Sequence, residues 1–71
     1  MGKFFELKNR FGFEECDGVY VREDEEITME ILPIQEDTYY VRVETCCRGY
    51  MKVHREVCTL EQVEELLKEE F

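Results

Sequence analysis

The sequence is poor in the residues that enzyme sites and phosphate-binding loops require. It has one histidine (His54), one proline, no tryptophan and four glycines, and none of the glycines belongs to a phosphate-cradling motif. A single histidine leaves one side chain whose ordinary pKa suits acid–base chemistry near neutral pH. We therefore expect a protein that is not an enzyme and that binds no cofactor.

Long hydrophobic runs are also missing. No apolar stretch has the length of a membrane span or of a signal-peptide core, and four charged residues interrupt the first ten. Four cysteines in so short a chain would fit two disulfides in a secreted protein, but without a signal peptide reduced thiols are the expectation. The predicted location is cytoplasmic.

The cysteines do not suggest a metal site. The candidate zinc ligands are Cys46, Cys47, His54 and Cys58. Cys46 and Cys47 are adjacent, so a strand would point them to opposite faces, and no CxxC spacing supplies a compact pair. We expect no bound metal, with Cys47 as a core thiol. A thiol-based sensor or enzyme that uses Cys46 and His54, expected on one sheet face, is a third functional alternative.

Size and composition indicate one folded domain over residues 1–71. Hydrophobic residues make up 44% of the 71 residues, with five phenylalanines and four tyrosines, which is too many for a disordered acidic tail. A chain of this length buries one thin core, so a large enclosed active site is not expected.

Helical patterns occur at both ends of the chain. Phe4, Leu7 and Phe11 have helical spacing before Gly12, which can adopt the left-handed conformation just past a helix. Phe13 would then pack back near Leu7, although alternating residues in this segment also allow a strand. At the other end, Thr59 and Gln62 form a capping-box pattern. The apolar stripe of that second helix is Leu60, Val63, Leu66, Leu67 and Phe71.

Alternating patterns between these helices predict strands. Val19 and Val21 alternate with Tyr20 and Arg22 after the turn signal Asp17-Gly18. Residues 26–35 have the inward set Ile27, Met29 and Ile31, which shifts to Leu32 and Ile34 around Pro33. Because proline cannot donate a ladder hydrogen bond, this phase change predicts a bulge, with Glu30 on the outward face.

Residues 38–48 alternate most regularly. One face would carry Tyr39, Val41, Val43, Thr45 and Cys47, and the other Tyr40, Arg42, Glu44 and Cys46. For the next hairpin a three-residue loop, residues 48–50, is preferred, because it pairs Glu44 with His54 and Arg42 with Glu56. A two-residue loop would instead set Val43 against His54.

The expected fold class is α+β: a small α-β-β-β-α domain with a three-stranded antiparallel sheet and both helices packed on one face. This order resembles the double-stranded RNA-binding domain in topology and length only. That fold holds phosphates with lysines around its second helix, whereas this chain has five glutamates and one lysine there. A net charge of −9 also opposes binding to nucleic acid and to anionic membranes.

The negative charge is concentrated in residues 13–37. This segment has one basic residue, Arg22, and a net charge of −9, equal to that of the whole chain. Its ten acidic residues are Glu14, Glu15, Asp17, Glu23, Asp24, Glu25, Glu26, Glu30, Glu36 and Asp37. Carboxylates held on a rigid scaffold can imitate a nucleic-acid backbone and occupy a basic groove.

The leading functional hypothesis is therefore a non-enzymatic inhibitor. Its ten acidic residues would engage a basic cleft, such as that of a nuclease, as small phage anti-restriction or anti-CRISPR proteins do. The alternative is a structural or oligomerising module, a homodimer among them, that uses Tyr20 and Tyr40 on the outer sheet face or the edge of the final strand. A plainer interpretation gives the acidity a role in solubility alone.

Overall fold

The computed structural model describes residues 2–71, apart from the side chain of Cys47. The expectation that Cys47 is a core thiol lies outside the described residues. The chain forms two helices and five strands: α1 (Lys3–Arg10), β1 (Glu14–Cys16), β2 (Val19–Glu23), β3 (Ile27–Gln35), β4 (Thr38–Cys47), β5 (Tyr50–Cys58) and α2 (Leu60–Glu70). The strands make one antiparallel sheet in the order β1-β2-β3-β4-β5.

The expected three-stranded sheet is wrong, because the sheet has five strands. Residues 19–22, 26–35, 38–48 and the segment after Gly49 each contribute a strand, and β1 adds a fifth. β1 has the sequence Glu-Glu-Cys and is exposed throughout, so it carries no apolar alternation. It forms because Asp17 and Gly18, with φ values of 52° and 84°, make a two-residue turn that folds it back on β2.

Both helices cover the same face of this sheet, called here the inner face. Leu7 of α1 joins Val63 and Leu67 of α2 in one buried cluster. The sheet supplies Met29, Ile31, Tyr39, Val41, Val43 and Cys58 to that cluster, and Phe13, which follows α1, also belongs to it. The alternation of β4 is confirmed for its described side chains, since Tyr39, Val41 and Val43 are buried and their neighbours are not. The opposite, outer face is left without a covering element among the described residues.

The helical interpretation of the first segment is confirmed, and the strand alternative is wrong. Gly12 has a φ of 73°, and α1 ends in the Schellman pattern. The Phe13 N–H donates to the Lys8 carbonyl at 2.8 Å, and the Gly12 N–H donates to the Asn9 carbonyl at 3.3 Å. Phe13, 7% exposed, enters the core cluster with Leu7 as expected.

The capping box of the second helix is also confirmed. The Gln62 N–H donates to the Thr59 hydroxyl at 3.3 Å, and the Thr59 N–H donates to the Gln62 side-chain oxygen at 2.9 Å. Asp37, from the β3–β4 turn, accepts a third hydrogen bond from the Leu60 N–H at 3.0 Å. Across residues 2–71, no helix has the length and apolar character needed to cross a membrane.

The predicted three-residue loop between β4 and β5 is wrong. Cys47 pairs with Tyr50, so the loop is Arg48-Gly49, with φ values of 49° and 88°. Positive φ at both positions fits the two-residue turn that matches strand twist, and this geometry decides the register. Val43 therefore lies opposite His54, as a two-residue loop requires. Arg42 lies opposite Arg55 rather than Glu56.

The predicted bulge in β3 is confirmed, but the inward shift of Leu32 and Ile34 is not. The register changes between Pro33 and Gln35. Leu32 and Ile34 are nevertheless 41% and 54% exposed, because α1 and α2 cover the side of the strand that carries Met29 and Ile31. Glu30 lies on the outer face as expected, opposite Arg42.

Candidate functional site

The structure divides the acidic residues between the two ends of the sheet. At one end of the sheet, β2 ends at Glu23 and residues 24–26 form the connection to β3. The turns at the opposite end contain Asp17, Glu36 and Asp37. β3 separates the two groups, and its nine residues span about 30 Å at roughly 3.3 Å per residue. The ten carboxylates therefore do not form one continuous surface.

One group surrounds an open groove between the end of α1 and strands β1 and β2. The groove has a volume of about 890 Å³. Four of the expected acidic residues line it: Glu14, Glu15, Glu23 and Asp24. Glu25 and Glu26 follow directly in the same exposed loop. These six residues are called the groove cluster.

Arg22 is the basic residue nearest to the groove cluster in sequence, and its guanidinium is held by other partners. It donates to the Phe11 carbonyl at 2.7 Å and lies 4.0 Å from the centre of the Phe71 ring. Its remaining contact is a 3.4 Å ion pair with Asp24. Arg10 also lines the groove. Among the described residues, Asp24 is the one member of the groove cluster with an ion pair.

A second acidic group forms where the β3–β4 turn meets the start of α2. Asp37, Glu61, Glu64 and Glu65 line a shallow depression there together with Lys3. The Lys3 ammonium lies 3.0 Å from the Glu64 carboxylate, and this hydrogen bond lowers the pKa of Glu64 below its ordinary value. Sequence reasoning missed Glu61, Glu64 and Glu65, because only tertiary packing brings α2 beside Asp37.

Glu30 and Asp37 are engaged in structural contacts. Arg42 bridges two carboxylates on the outer face, at 3.4 Å from Glu30 and in direct contact with Glu44. Asp37 caps α2 and has a φ of 55°. The remaining expected acidic residues, Glu14, Glu15, Asp17, Glu23, Glu25, Glu26 and Glu36, are exposed and make no ion pair within residues 2–71.

The two tyrosines expected on the outer face lie on opposite faces. Tyr20 is opposite Ile31 on the inner face, and its ring meets the Phe4 ring edge-on with centroids 5.0 Å apart. The inner face takes the larger aromatic side chain of β2, while the smaller Val19 and Val21 point outward. Tyr40 does lie on the outer face, between Leu32 and Val57.

The outer face also exposes apolar side chains of β5, which a three-residue loop would have set on the inner face. Met51, Val53 and Val57 of β5 are 60%, 43% and 61% exposed. The two-residue turn places them there, because it sets Cys46 opposite Met51 and Tyr40 opposite Val57. The sequence signal for the two-residue turn was Arg48-Gly49, because glycine readily adopts the positive φ that such a turn requires.

The expected placement of Cys46 and His54 on one face is wrong. Cys46 shares the outer face with Met51, whereas His54 lies opposite buried Val43 on the inner side. His54 instead contacts Glu56, at 3.4 Å. Because the sheet separates the two side chains, they do not form a thiol–imidazole pair within one molecule.

The three described cysteine side chains differ in their exposure to solvent. Cys16 and Cys46 are exposed free thiols, whereas Cys58 is 3% exposed. Burial, with a hydrogen bond to the Glu56 carboxylate as a second cause, raises the pKa of Cys58 to about 11. Among the described side chains, which do not include that of Cys47, no three histidine, cysteine or acidic groups converge in a way that could hold a metal ion.

Comparison with known proteins adds no relative: no family model, curated protein or solved structure matches the chain. The functional argument therefore depends on the surfaces of the molecule itself.

Proposed function

We propose that this protein is a non-enzymatic, cytoplasmic inhibitor that binds a basic cleft of a nucleic-acid-handling protein, such as a nuclease, by nucleic-acid mimicry. Its mode of action would be that of phage anti-restriction or anti-CRISPR proteins. The groove cluster is the binding surface. The free thiols of Cys16 and Cys46 suit the reducing conditions of the cytoplasm.

The observation that carries this proposal is that five of the six carboxylates of the groove cluster have no ion pair in the described structure. Asp24 is paired with Arg22, but Glu14, Glu15, Glu23, Glu25 and Glu26 are exposed and have no ion-pair partner in the described structure. Like charges held close together repel one another, and a basic partner relieves that repulsion when it binds. The paired turns and strands fix the spacing of these carboxylates, so little ordering is required on binding.

The groove is also shaped for a protruding partner group. Its walls come from α1, β1 and β2, which are joined through the hydrogen bond from Arg22 to the Phe11 carbonyl. A lysine or arginine side chain placed beside Glu14 and Glu23, on the outer face at this edge, would meet carboxylates from two neighbouring strands. Bidentate contacts of arginine with carboxylates are among the stronger charged hydrogen bonds.

The test uses three immobilised forms of the protein exposed to cell lysate and washed with increasing salt. The variant Glu23→Lys, Glu25→Lys, Glu26→Lys changes the groove cluster but keeps the Asp24–Arg22 pair. The matched control, Glu65→Lys, Glu69→Lys, Glu70→Lys, makes the same change in charge at exposed positions of α2.

We expect the wild type and the control to retain a basic nucleic-acid-binding protein and the groove variant to lose at least tenfold in affinity for it. Salt should release this protein, since the Debye length falls from about 10 Å at 0.1 M to about 3 Å at 1 M. A DNA or RNA fragment should compete for the same partner. Equal retention by the groove variant, or no competition by nucleic acid, would contradict the proposal.

A further inference from the structure

β5 is a long edge strand with its outward side open. It runs over nine residues, Tyr50–Cys58, and pairs with β4 alone. Alternate residues of such a strand direct their backbone N–H and C=O groups away from the sheet, where they can pair with another strand. The strand contains no proline or glycine that would interrupt such pairing.

The side chains of β5 are complementary to a second copy of the same strand. The geometry points to a two-fold symmetric homodimer in which two β5 strands pair antiparallel, centred on His54, and join the two sheets into one of ten strands. This inference involves neither the groove cluster nor nucleic-acid mimicry.

Symmetry restricts the possible registers. A two-fold axis perpendicular to the sheet keeps the inner face of both copies on the same side, and directly opposed residues must share a face. The numbers of two opposed residues must therefore add to an even value. One residue of β5 then lies opposite its own copy, and the axis passes midway between the two. The candidates near the middle of the strand are Lys52, Val53, His54, Arg55 and Glu56.

Charge selects among these candidates. An axis at Lys52, Arg55 or Glu56 sets that charge against its own copy, which is destabilising. The Arg55 register would also form a row of four arginines, since Arg42 lies opposite Arg55 within each copy. An axis at Val53 opposes Val53 to its own copy but places Lys52 opposite His54 and Met51 opposite Arg55, so it gains one apolar pair and no complementary charge pair.

An axis at His54 sets His54 against its own copy and Val53 opposite Arg55, but it gains complementary pairs on both faces. Lys52 of each copy lies opposite Glu56 of the other, so the dimer gains two complementary charge pairs. On the outer face, Met51 of each copy lies opposite Val57 of the other. In the single chain, the side chains of Met51 and Val57 are 60% and 61% exposed.

The same register extends an existing apolar row. Leu32, Tyr40 and Val57 already form a row across β3, β4 and β5. Met51 and Cys46 of the second copy continue this row. On the inner face, Tyr50, 65% exposed, comes to lie opposite Cys58 of the other copy, at the end of the sheet where α2 begins. The exposed side chains of Met51, Val57 and Tyr50 in one copy are thus opposed by side chains of the other copy.

The test is a charge exchange between the two opposed positions. Lys52→Glu alone places four carboxylates at the two pair sites, and Glu56→Lys alone places four cations there. Each variant should weaken dimerisation by about tenfold or more relative to the wild type. An equimolar mixture should form a heterodimer, because every opposed pair is then complementary. Lys68→Glu makes the same charge change on α2 and should leave the dimer unaffected.

Sedimentation equilibrium reports the masses, and circular dichroism checks that each variant is folded. The expected result is a dimer for the wild type at about 0.1 mM, a dissociation constant about tenfold higher or more for each single variant, and recovery of wild-type affinity on mixing. A monomeric wild type at that concentration would overturn the inference. Unchanged dissociation constants in both single variants, or a mixture that dimerises no better than they do, would overturn it as well.

Discussion

Cys58 shows how the environment of one residue determines its chemistry. It lies at the end of β5, next to the cap of α2, and is buried in the core cluster. Burial is the main cause of its raised pKa of about 11, because a thiolate there would lose its hydration, and the Glu56 carboxylate adds to the effect. The thiol therefore acts as a small apolar group of the core.

This leads to a prediction on labelling of the folded protein with iodoacetamide at about pH 8. Roughly one part in a thousand of Cys58 is then thiolate, compared with a much larger fraction for an ordinary exposed cysteine. Peptide mass spectrometry should show Cys16 and Cys46 alkylated at least tenfold faster than Cys58. Addition of urea should remove the difference. Equal rates in the native protein would mean that Cys58 is accessible.

At the scale of elements, the two terminal helices are joined by a contact that depends on pH. The Lys3 ammonium of α1 donates to the Glu64 carboxylate of α2 at 3.0 Å, and the pKa of Glu64 is lowered as a result. A lowered folded-state pKa means that the stabilisation is present above the ordinary carboxyl pKa and is lost as pH falls through the lowered value. Both groups are partly exposed, so the contribution is modest.

Replacement of Lys3 by methionine should remove this contribution. We expect Lys3→Met to lower the urea midpoint at about pH 7, with the difference from the wild type vanishing at about pH 2. Lys8→Met, which removes a lysine of α1 that makes no ion pair in the described structure, serves as the control and should show no such convergence. A difference between wild type and Lys3→Met that persists in acid would assign the effect to packing of the Lys3 side chain.

The elements differ in how well the sequence predicted them. The stop of α1 at Gly12, the cap of α2 at Thr59 and the bulge at Pro33 were predictable, because each depends on the conformational preference of a few neighbouring residues. The β4–β5 register was not, because the expected loop was chosen for its charge pairs, whereas the backbone conformation of Arg48-Gly49 decides the register. Which face the helices cover is a property of the assembled sheet, and no local pattern reports it.

The candidate site, too, could be predicted from the sequence only in part. The acidic residues themselves were evident in the sequence, as was the outward placement of Glu30. That Glu14 and Glu15 lie beside Glu23 was not, because it depends on the pairing of β1 with β2. β1 was also missed, since the sequence Glu-Glu-Cys has no strand pattern and its pairing depends on the turn at Asp17-Gly18.

At the scale of the whole molecule, the excess of negative charge acts against the folded state. The net charge of −9 is carried by a body with a radius of gyration of 11.8 Å, so the carboxylates repel one another more strongly than in the unfolded chain. The exposed ion pairs contribute little in opposition, since exposed pairs are weak. Screening by salt should therefore stabilise the protein.

We expect the free energy of unfolding to rise by roughly 1 kcal/mol between about 0.01 M and about 0.2 M sodium chloride. Urea unfolding at each salt concentration measures this. Each of the three reversals in the groove variant changes the charge by two units, which takes the net charge from −9 to −3. That variant should show a smaller salt effect. A fall in stability with salt would show that ion pairs outweigh the repulsion.

The strand order has a consequence for the way the chain folds. Each strand pairs with the strand next to it in sequence, so the sheet can grow one hairpin at a time without closing a long loop. The contact between α1 and α2, by contrast, joins residues 61 positions apart at Lys3 and Glu64. Its closure entropy is recovered only once the sheet exists to hold both helices. Helix docking should therefore be the late step, and substitutions at Leu7 or Val63 should accelerate unfolding more than they slow folding.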